Sequence, residues 1–222
     1  RLGGSDLEAI NGQLAARVCA EELEMLLSNG NTSIVLNGQT IYGYLTHPSR
    51  KTKSVSAVAG VTSSGVFSVV GNAQLVIADM INTLQGGGNN HYGPYVLYVS
   101  RQQFNELGQL YYTDGSGDNQ LDRIRTMPGI EAIYPADTDY LPDGELLLIQ
   151  MDSSVVDLAY VPGFGFNYVD EGNGRVDVTG VTNVEWSTPD GSIGKFKAMT
   201  VAVPRVKSTY SNRSGIAHYS GA

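Results

Sequence analysis

Residues 5–30, SDLEAINGQLAARVCAEELEMLLSNG, decide the fold of this chain. Apolar residues recur through the stretch at near-helical spacing, and Ser5 and Glu8 have the spacing of a capping box. The pattern ends at Gly30, a residue that commonly terminates helices. The sequence therefore predicts one helix over about residues 6–28, roughly 35 Å long and longer than most helices of globular proteins.

The C-terminal half of this helix is acidic, with Glu21, Glu22 and Glu24. The helix dipole favours cations at that end, so basic groups from elsewhere would stabilise it. A basic cluster follows in a stretch that predicts loops, and its members are Arg50, Lys51 and Lys53. Two interpretations remain open for both groups: faces in solvent, or contact between the acidic helix and the basic cluster of a neighbouring copy.

The rest of the chain alternates between strand and helix patterns. The predicted strands are 33–36, 40–45, 66–70, 95–99, 131–134 and 145–151, followed by four antiparallel strands at 155–160, 164–169, 175–186 and 194–203. The predicted helices are 72–84, a segment from Ser100 through Leu110, and a short one with Leu121, Ile124 and Arg125. A mobile tail is expected from Ser208. This order predicts an α+β fold with a mixed sheet covered by helices.

Composition limits the possible functions. The net charge of −8 gives no positive field for collecting nucleic-acid phosphates, so sequence-specific binding of DNA or RNA is not expected. The apolar runs are too short to span a bilayer, and no membrane association is expected. The 13 tyrosines and 27 glycines suit a turn-rich protein with partly polar contacts between subunits.

No constellation of residues indicates catalysis. His47, His91 and His218 fall in three separate predicted loops without metal-ligand spacing, so no metal site is expected. The segment with Asp114, Ser116 and Asp118 and the acidic segment 137–145 both resemble calcium loops, but each lacks the closing bidentate glutamate. We therefore expect neither enzymatic activity nor a cofactor. A metal-binding hydrolase that uses an acidic loop is the alternative from a different functional class.

Several segments, taken in order, point to a known family. They are residues 21–30, EELEMLLSNG, then 93–99, GPYVLYV, and 144–150, GELLLIQ, with a β-ribbon closing at Val203. The sequence resembles major capsid proteins of tailed phages and encapsulin shell proteins, which share the Hong Kong 97-type coat fold, and is most similar to the encapsulin-like phage capsid proteins. The resemblance covers most of the chain.

The resemblance implies a domain organisation and an expected truncation. A peripheral domain would comprise residues 1–62 and 146–205 and would include the spine helix, an axial domain would comprise 63–145, and a C-terminal tail 206–222. The N-terminal arm and extended loop that precede the spine helix in the family are expected to be absent from this chain. The candidate subunit-interface residues are Glu21, Glu22, Glu24, Arg50, Lys51, Lys53, Asp114 and Asp118; the last two would lie near a five-fold or six-fold axis.

The function that the resemblance implies is that of a structural major capsid protein. Copies would assemble as hexamers and pentamers into an icosahedral shell that encloses viral DNA without sequence-specific binding. Decoration, portal and scaffolding proteins are the further partners it suggests, with assembly in the bacterial host cytoplasm and final localisation in the virion. The alternative within the same class is an encapsulin nanocompartment that encloses cargo enzymes.

Overall fold

The computed structural model describes residues 4–36, 39–61, 67–160, 166–170, 176–180, 202–207 and 213–221. These residues form both helices and strands, which confirms the predicted α+β class. The chain divides into two compact units, Arg1–Leu26 with Leu158–Val203 and Leu27–Asp157 with Pro204–Ala222. These boundaries differ from those predicted for the peripheral domain, the axial domain and the tail. The predicted division into those domains stays a prediction.

The long helix α1 spans Gly4–Asn29, which confirms the predicted helix. It starts one residue before Ser5, so Ser5 lies in the first turn and is not the N-cap. The first unit also contains the strands β8, Phe166–Asp170, and β9, Val176–Gly180, which pair antiparallel. Most of the predicted strand 194–203 lies outside the described residues. Within the described residues, no helix is long and apolar enough to cross a membrane.

The C-terminal end of α1 is closed by backbone hydrogen bonds from the segment that follows. Strands β1, Gly30–Leu36, and β2, Gln39–Tyr42, form an antiparallel pair, and the chain then turns back toward the helix. The amides of Tyr44 and Leu45 donate to the carbonyls of Leu27 and Ser28, each at 2.8 Å. These bonds satisfy two helix-end carbonyls that would otherwise lack partners.

The second unit is built on a five-stranded mixed sheet. Its strands are β3, Lys51–Ser54, β4, Tyr95–Ser100, β5, Ile130–Ala136, β6, Glu145–Gln150, and β11, Ile216–Ser220. Their order is β3-β11-β6-β4-β5. Strand β6 runs antiparallel to both of its neighbours, β11 and β4, whereas each edge strand runs parallel to the strand beside it. The last strand of the chain therefore lies inside the sheet.

Three helices contribute to one hydrophobic core of this unit: α2, Asn72–Gln85, α3, Arg101–Gln109, and α4, Gln120–Arg125. Leu146 and Leu148 of β6 belong to that core, whereas Leu147 and Ile149 belong to a second one. Residues from the segments around Leu45, Leu141 and Val155 complete the second core. All four β6 side chains are buried, so the strand reads as an apolar run and not as an alternating pattern.

Strand β10, Ala202–Val206, pairs with β7, Val156–Tyr160. Arg205 binds the carboxylate of Asp157 with both its Nε and a terminal nitrogen, at 2.7 and 2.6 Å, and Lys207 Nζ lies 2.7 Å from the same carboxylate. The Arg205 guanidinium, followed by the Lys207 ammonium, lowers the pKa of Asp157 to about 2. One carboxylate thus fixes two basic residues at the end of this strand pair.

Three local predictions are wrong. The tail expected to be mobile from Ser208 contains β11, in which Ile216, Ala217 and Tyr219 are fully buried. The predicted loop around the basic cluster includes the strand β3. The predicted strand 66–70 consists of turns at 67–70, and residue 66 lies outside the described residues. In the first two cases, pairing with distant parts of the chain outweighs local composition.

A substitution at Gly215, which immediately precedes β11, tests how closely this part of the chain is packed. A Cβ atom at this position would overlap Val155 Cγ1 and would meet Gln150 Cβ at 3.3 Å. We expect Gly215→Ala to lower the free energy of unfolding by about 1–3 kcal/mol, because overpacking forces neighbouring atoms to shift. Urea denaturation followed by tryptophan fluorescence and circular dichroism measures the change.

Gly108→Ala is the matched control. It adds the same methyl group on α3, where nothing lies within 4 Å of the new atom, and alanine favours helix over glycine by about 1 kcal/mol. We therefore expect this variant to be as stable as the unmodified protein or more so. Equal stabilities of the two variants would contradict the packing described for Gly215.

Candidate subunit-contact residues

The three glutamates predicted as contact residues lie on the exposed surface of α1. Glu21 pairs with Arg17 one turn earlier at 2.7 Å, with side-chain exposures of 48% and 76%. Glu22 and Glu24 are also exposed. The last turn of the helix contains no basic residue, so the carboxylates add to the negative end of the helix dipole. Exposed pairs of this kind contribute about 0.3–0.5 kcal/mol, which leaves the carboxylates available to a partner.

Lys53 of the predicted basic cluster has partners within its own subunit. Lys53 Nζ lies 2.8 Å from the carboxylate of Asp79 on α2. The same carboxylate accepts a hydrogen bond of 2.6 Å from the Tyr219 hydroxyl, which also lies 2.8 Å from Thr83 Oγ1. Burial, followed by the bond to Asp79, raises the pKa of the Tyr219 hydroxyl. This network fastens the edge strand β3 and the inner strand β11 to the helix that covers them.

Arg50 immediately precedes the edge strand β3 and contacts two histidines. Its Nε donates to Nδ1 of His218 at 3.3 Å, and a terminal nitrogen donates to the carbonyl oxygen of His47 at 3.0 Å. Nε2 of His218 lies 2.8 Å from the carboxylate of Glu145. An imidazole that accepts at Nδ1 and donates at Nε2 is the neutral tautomer, so these contacts define which nitrogen carries the proton.

His218 corrects the sequence interpretation of the histidines. It lies on β11 and not in a loop, with a carboxylate from β6 beside it. Nevertheless, the described residues contain no group of three or more His, Cys, Asp or Glu side chains that could hold a metal ion.

The predicted acidic loop is organised around an arginine. Asp114 accepts hydrogen bonds from the Ser116 amide at 3.1 Å and the Ser116 hydroxyl at 2.7 Å, and it pairs with Arg123 of α4. Asp118 lies 3.5 Å from the same guanidinium. The Ser116 hydroxyl, with Arg123 next, lowers the pKa of Asp114 well below its usual range. Both predicted carboxylates of this loop therefore converge on one cation.

The Arg123 guanidinium also packs on the ring of Tyr112. Its guanidinium carbon lies 3.6 Å from the centre of the Tyr112 ring, and the Tyr112 hydroxyl donates to Gln74 on α2 at 2.6 Å. The Tyr112 amide donates to the Asp118 carbonyl at 2.9 Å, which closes the loop. The guanidinium occupies the position between the carboxylates where the calcium-loop interpretation would place a metal ion.

The structure thus sorts the candidate residues into two intrachain clusters and one exposed helix face. Arg50 and Lys53 lie at one sheet edge, and Asp114 and Asp118 share Arg123. Lys51 is half-buried on the same edge strand. That any of these residues contacts a neighbouring copy stays a prediction. Sequence reasoning missed Asp79, Arg123 and His218 as their partners, because the partners are 26, 9 and 168 residues away from the groups they bind.

Comparison with known families gives a match. A family model described as a family of unknown function, DUF6260, matches residues 4–160. A comparison with curated proteins gives no match.

Several solved structures are similar to the chain. The capsid of Myoviridae phage XM1 matches 97% of this chain and 65% of its own, with 15% identity and a TM-score of 0.60. A virus-like particle from Pyrococcus furiosus matches 79% of this chain and 58% of its own, with 16% identity and a TM-score of 0.47. A structure from Mycobacterium phage Patience matches 99% of this chain and 64% of its own, with 14% identity and a TM-score of 0.47.

The likeness to the phage XM1 capsid establishes a capsid-like fold. The chain spans between 58% and 65% of the length of the three structures that it matches.

The arginine-centred loop leads to a prediction about ionisation. Replacing Arg123 with Met removes the cation beside Asp114 but keeps an unbranched side chain against Tyr112. We expect the pKa of Asp114 to rise toward its ordinary value and the amides of residues 114–118 to exchange faster, because the loop loses its central partner. Carboxyl NMR titration and hydrogen exchange measure the two effects.

Arg125→Met is the control on the same helix. Arg125 is 54% exposed and lies 3.9 Å from Asp122, away from the carboxylates of the loop. This variant should leave both the pKa of Asp114 and the exchange of the loop amides unchanged. If Arg123→Met behaves in the same way, Arg123 does not organise the loop.

Proposed function

We propose that this chain, which belongs to the family of unknown function DUF6260, is a structural subunit that packs against copies of itself in a closed protein shell. The observation that carries the proposal is the shared fold with the capsid of phage XM1, which extends over 97% of the chain at a TM-score of 0.60. At 15% identity the likeness supports the fold, and the function is inferred from it.

The finer form of the proposal is a major capsid protein with the Hong Kong 97-type fold. In this form, hexamers and pentamers close into an icosahedral shell around phage DNA, and the protein becomes part of the virion after assembly in the host cytoplasm. The net charge of −8 supports a wall that encloses DNA without binding its sequence. The subunit then acts through its contacts and not as an enzyme.

The edge strands of the main sheet have features that disfavour strand addition between copies. The edge strands of the main sheet are β3 and β5. Strand β3 is four residues long and contains two lysines, and β5 contains Pro135, which has no amide to donate. Short edges with lysine or proline disfavour uncontrolled strand addition between copies. Association through side-chain surfaces is then favoured over association through open edges.

Electron microscopy of the purified protein tests this function. We expect closed particles of uniform size, and nuclease-protected DNA inside particles isolated from the producing cell. Particles that contain protein cargo and no DNA would support a compartment shell in place of a phage capsid. Monodisperse monomers that do not associate over a range of salt and protein concentrations would contradict both.

A charge reversal in the arginine-centred loop tests its predicted role as a contact. In a closed ring each copy presents the same loop, so one substitution is repeated at every contact. We expect Asp118→Lys to reduce particle yield about tenfold or more, while the free energy of unfolding of the subunit changes by less than about 1 kcal/mol. Sucrose-gradient sedimentation measures the yield.

Asp143→Lys makes the same charge change at an exposed position of another loop. Because Asp143 is not a predicted contact residue, its particle yield should match that of the unmodified protein. Equal yields of the two variants would remove residues 114–118 from the set of assembly contacts without affecting the shell proposal itself.

A further inference from the structure

Helix α1 exposes a narrow apolar stripe. Leu14, Val18 and Met25 are 58%, 44% and 43% exposed. Their separations of four and seven residues place them within about 40° of one another around the helix, and they extend about 16 Å along it. This spacing is typical of the seam that one helix buries against another. The stripe lies within the described part of the first unit, where each of these side chains remains accessible.

The stripe has carboxylates within it and on both sides. Glu21 lies on the same helix face, between Val18 and Met25, and Glu22 and Glu24 lie about 80° to either side. Arg17 is the cation paired with Glu21, and no basic residue follows in the last turn. The negative end of the helix dipole strengthens this field. A partner therefore needs apolar side chains for the stripe and cations for its margins.

A second copy of the chain supplies the wrong charge for this surface. Each copy has a net charge of −8. Among the described residues, seven lysine and arginine side chains already lie within 4 Å of carboxylates of their own subunit, namely Arg17, Lys53, Arg101, Arg123, Arg125, Arg205 and Lys207. Bringing such a surface onto α1 would break those pairs or add further negative charge. An anionic membrane would be repelled for the same reason.

We propose that the α1 stripe binds a helical segment of a different protein, with an apolar seam flanked by lysine or arginine. The apolar seam supplies most of the affinity, and the flanking cations select the partner and its direction along α1. The sequence-based prediction assigned the same glutamates to a contact between copies; the intrachain pairing of the basic residues favours a heterologous partner instead. The inference does not depend on the shell function, since it concerns a surface of the single subunit.

A synthetic peptide tests the proposal on the intact chain. The probe is a fluorescein-labelled helical peptide of about 18 residues, with leucines alternately four and three residues apart, lysines beside them and alanines elsewhere. A second peptide has glutamate in place of lysine, and a third keeps the lysines but has serine in place of leucine. We expect only the first peptide to bind, with the affinity measured by fluorescence anisotropy at physiological salt. Equal binding of all three peptides, or of the first two, would overturn the proposal.

Variants of the chain locate the binding surface. Glu22→Gln with Glu24→Gln removes two flanking charges, and Leu14→Gln with Val18→Gln removes two stripe side chains. Each double variant should weaken binding about tenfold, because each removes about 1.4 kcal/mol of interaction. Circular dichroism verifies that helix content is retained. The glutamine replacements for glutamate keep the helix propensity nearly unchanged, so that variant is informative even if the apolar one unfolds.

Asp139→Asn with Asp143→Asn is the matched charge control. Both positions are exposed, and the change in net charge equals that of the glutamate variant. Peptide affinity should stay within about twofold of that of the unmodified protein. An equal loss in this control would show that the peptide responds to net charge alone. That outcome would overturn the proposal.

Absence of peptide binding would also overturn the proposal. If sedimentation then shows that the Glu22→Gln and Glu24→Gln variant self-associates differently from the unmodified protein, α1 is assigned to contacts between copies.

Discussion

Strand β6 is the element on which the second unit depends, because it is buried on both faces and hydrogen-bonded along both edges. Its residues 146–149 alternate between the two hydrophobic cores, so each core contains two of its side chains. Burying a leucine or isoleucine contributes about 1.5–3 kcal/mol, and four such residues in one strand make it the main link between the layers. The strand on one side is β4, and the strand on the other is β11, which comes from the end of the chain. The sheet is therefore complete only when residues more than 60 positions apart have met.

This arrangement explains which parts of the fold the sequence predicts. Helices α1 and α2 have long periodic patterns, and their predicted boundaries lie within two residues of those in the structure. Strand β6 is recognisable as an uninterrupted apolar run. Strand β11 is different, because its five residues are surrounded by serine and glycine and its period of two is short. Its position depends on pairing with β3 and β6, which is a property of the tertiary structure and not of the local sequence.

The candidate contact residues were predicted only in part, because their partners depend on the tertiary structure. The charged residues themselves are visible in the sequence, including the carboxylates at 114 and 118 and the basic residues from 50 to 53. Their partners cannot be identified from the sequence, because Asp79 approaches Lys53 only when α2 packs on the sheet. Arg123 approaches the acidic loop only when α4 folds beside Tyr112. A charge pattern thus predicts where interactions are available, and the fold determines which of them are made within the subunit.

That distinction bears on the proposed association of this acidic subunit with its own copies. Like net charges repel, and the Debye length of about 8 Å at physiological salt screens that repulsion only between separated surfaces. Basic side chains engaged within the subunit offset it little, because their charge is already neutralised locally. In the proposed shell, contacts between copies would also draw on uncharged surfaces, for which exposed tyrosines are suited, since the ring can be buried while the hydroxyl keeps a hydrogen bond. Tyr92, Tyr111 and Tyr134 are 67%, 58% and 51% exposed, and the Tyr134 ring packs against Tyr98 with 5.9 Å between centroids. Under the proposed function, a surface of this kind would allow many weak contacts that form and break until a shell closes, whereas strong ion pairs between copies would fix early errors in place.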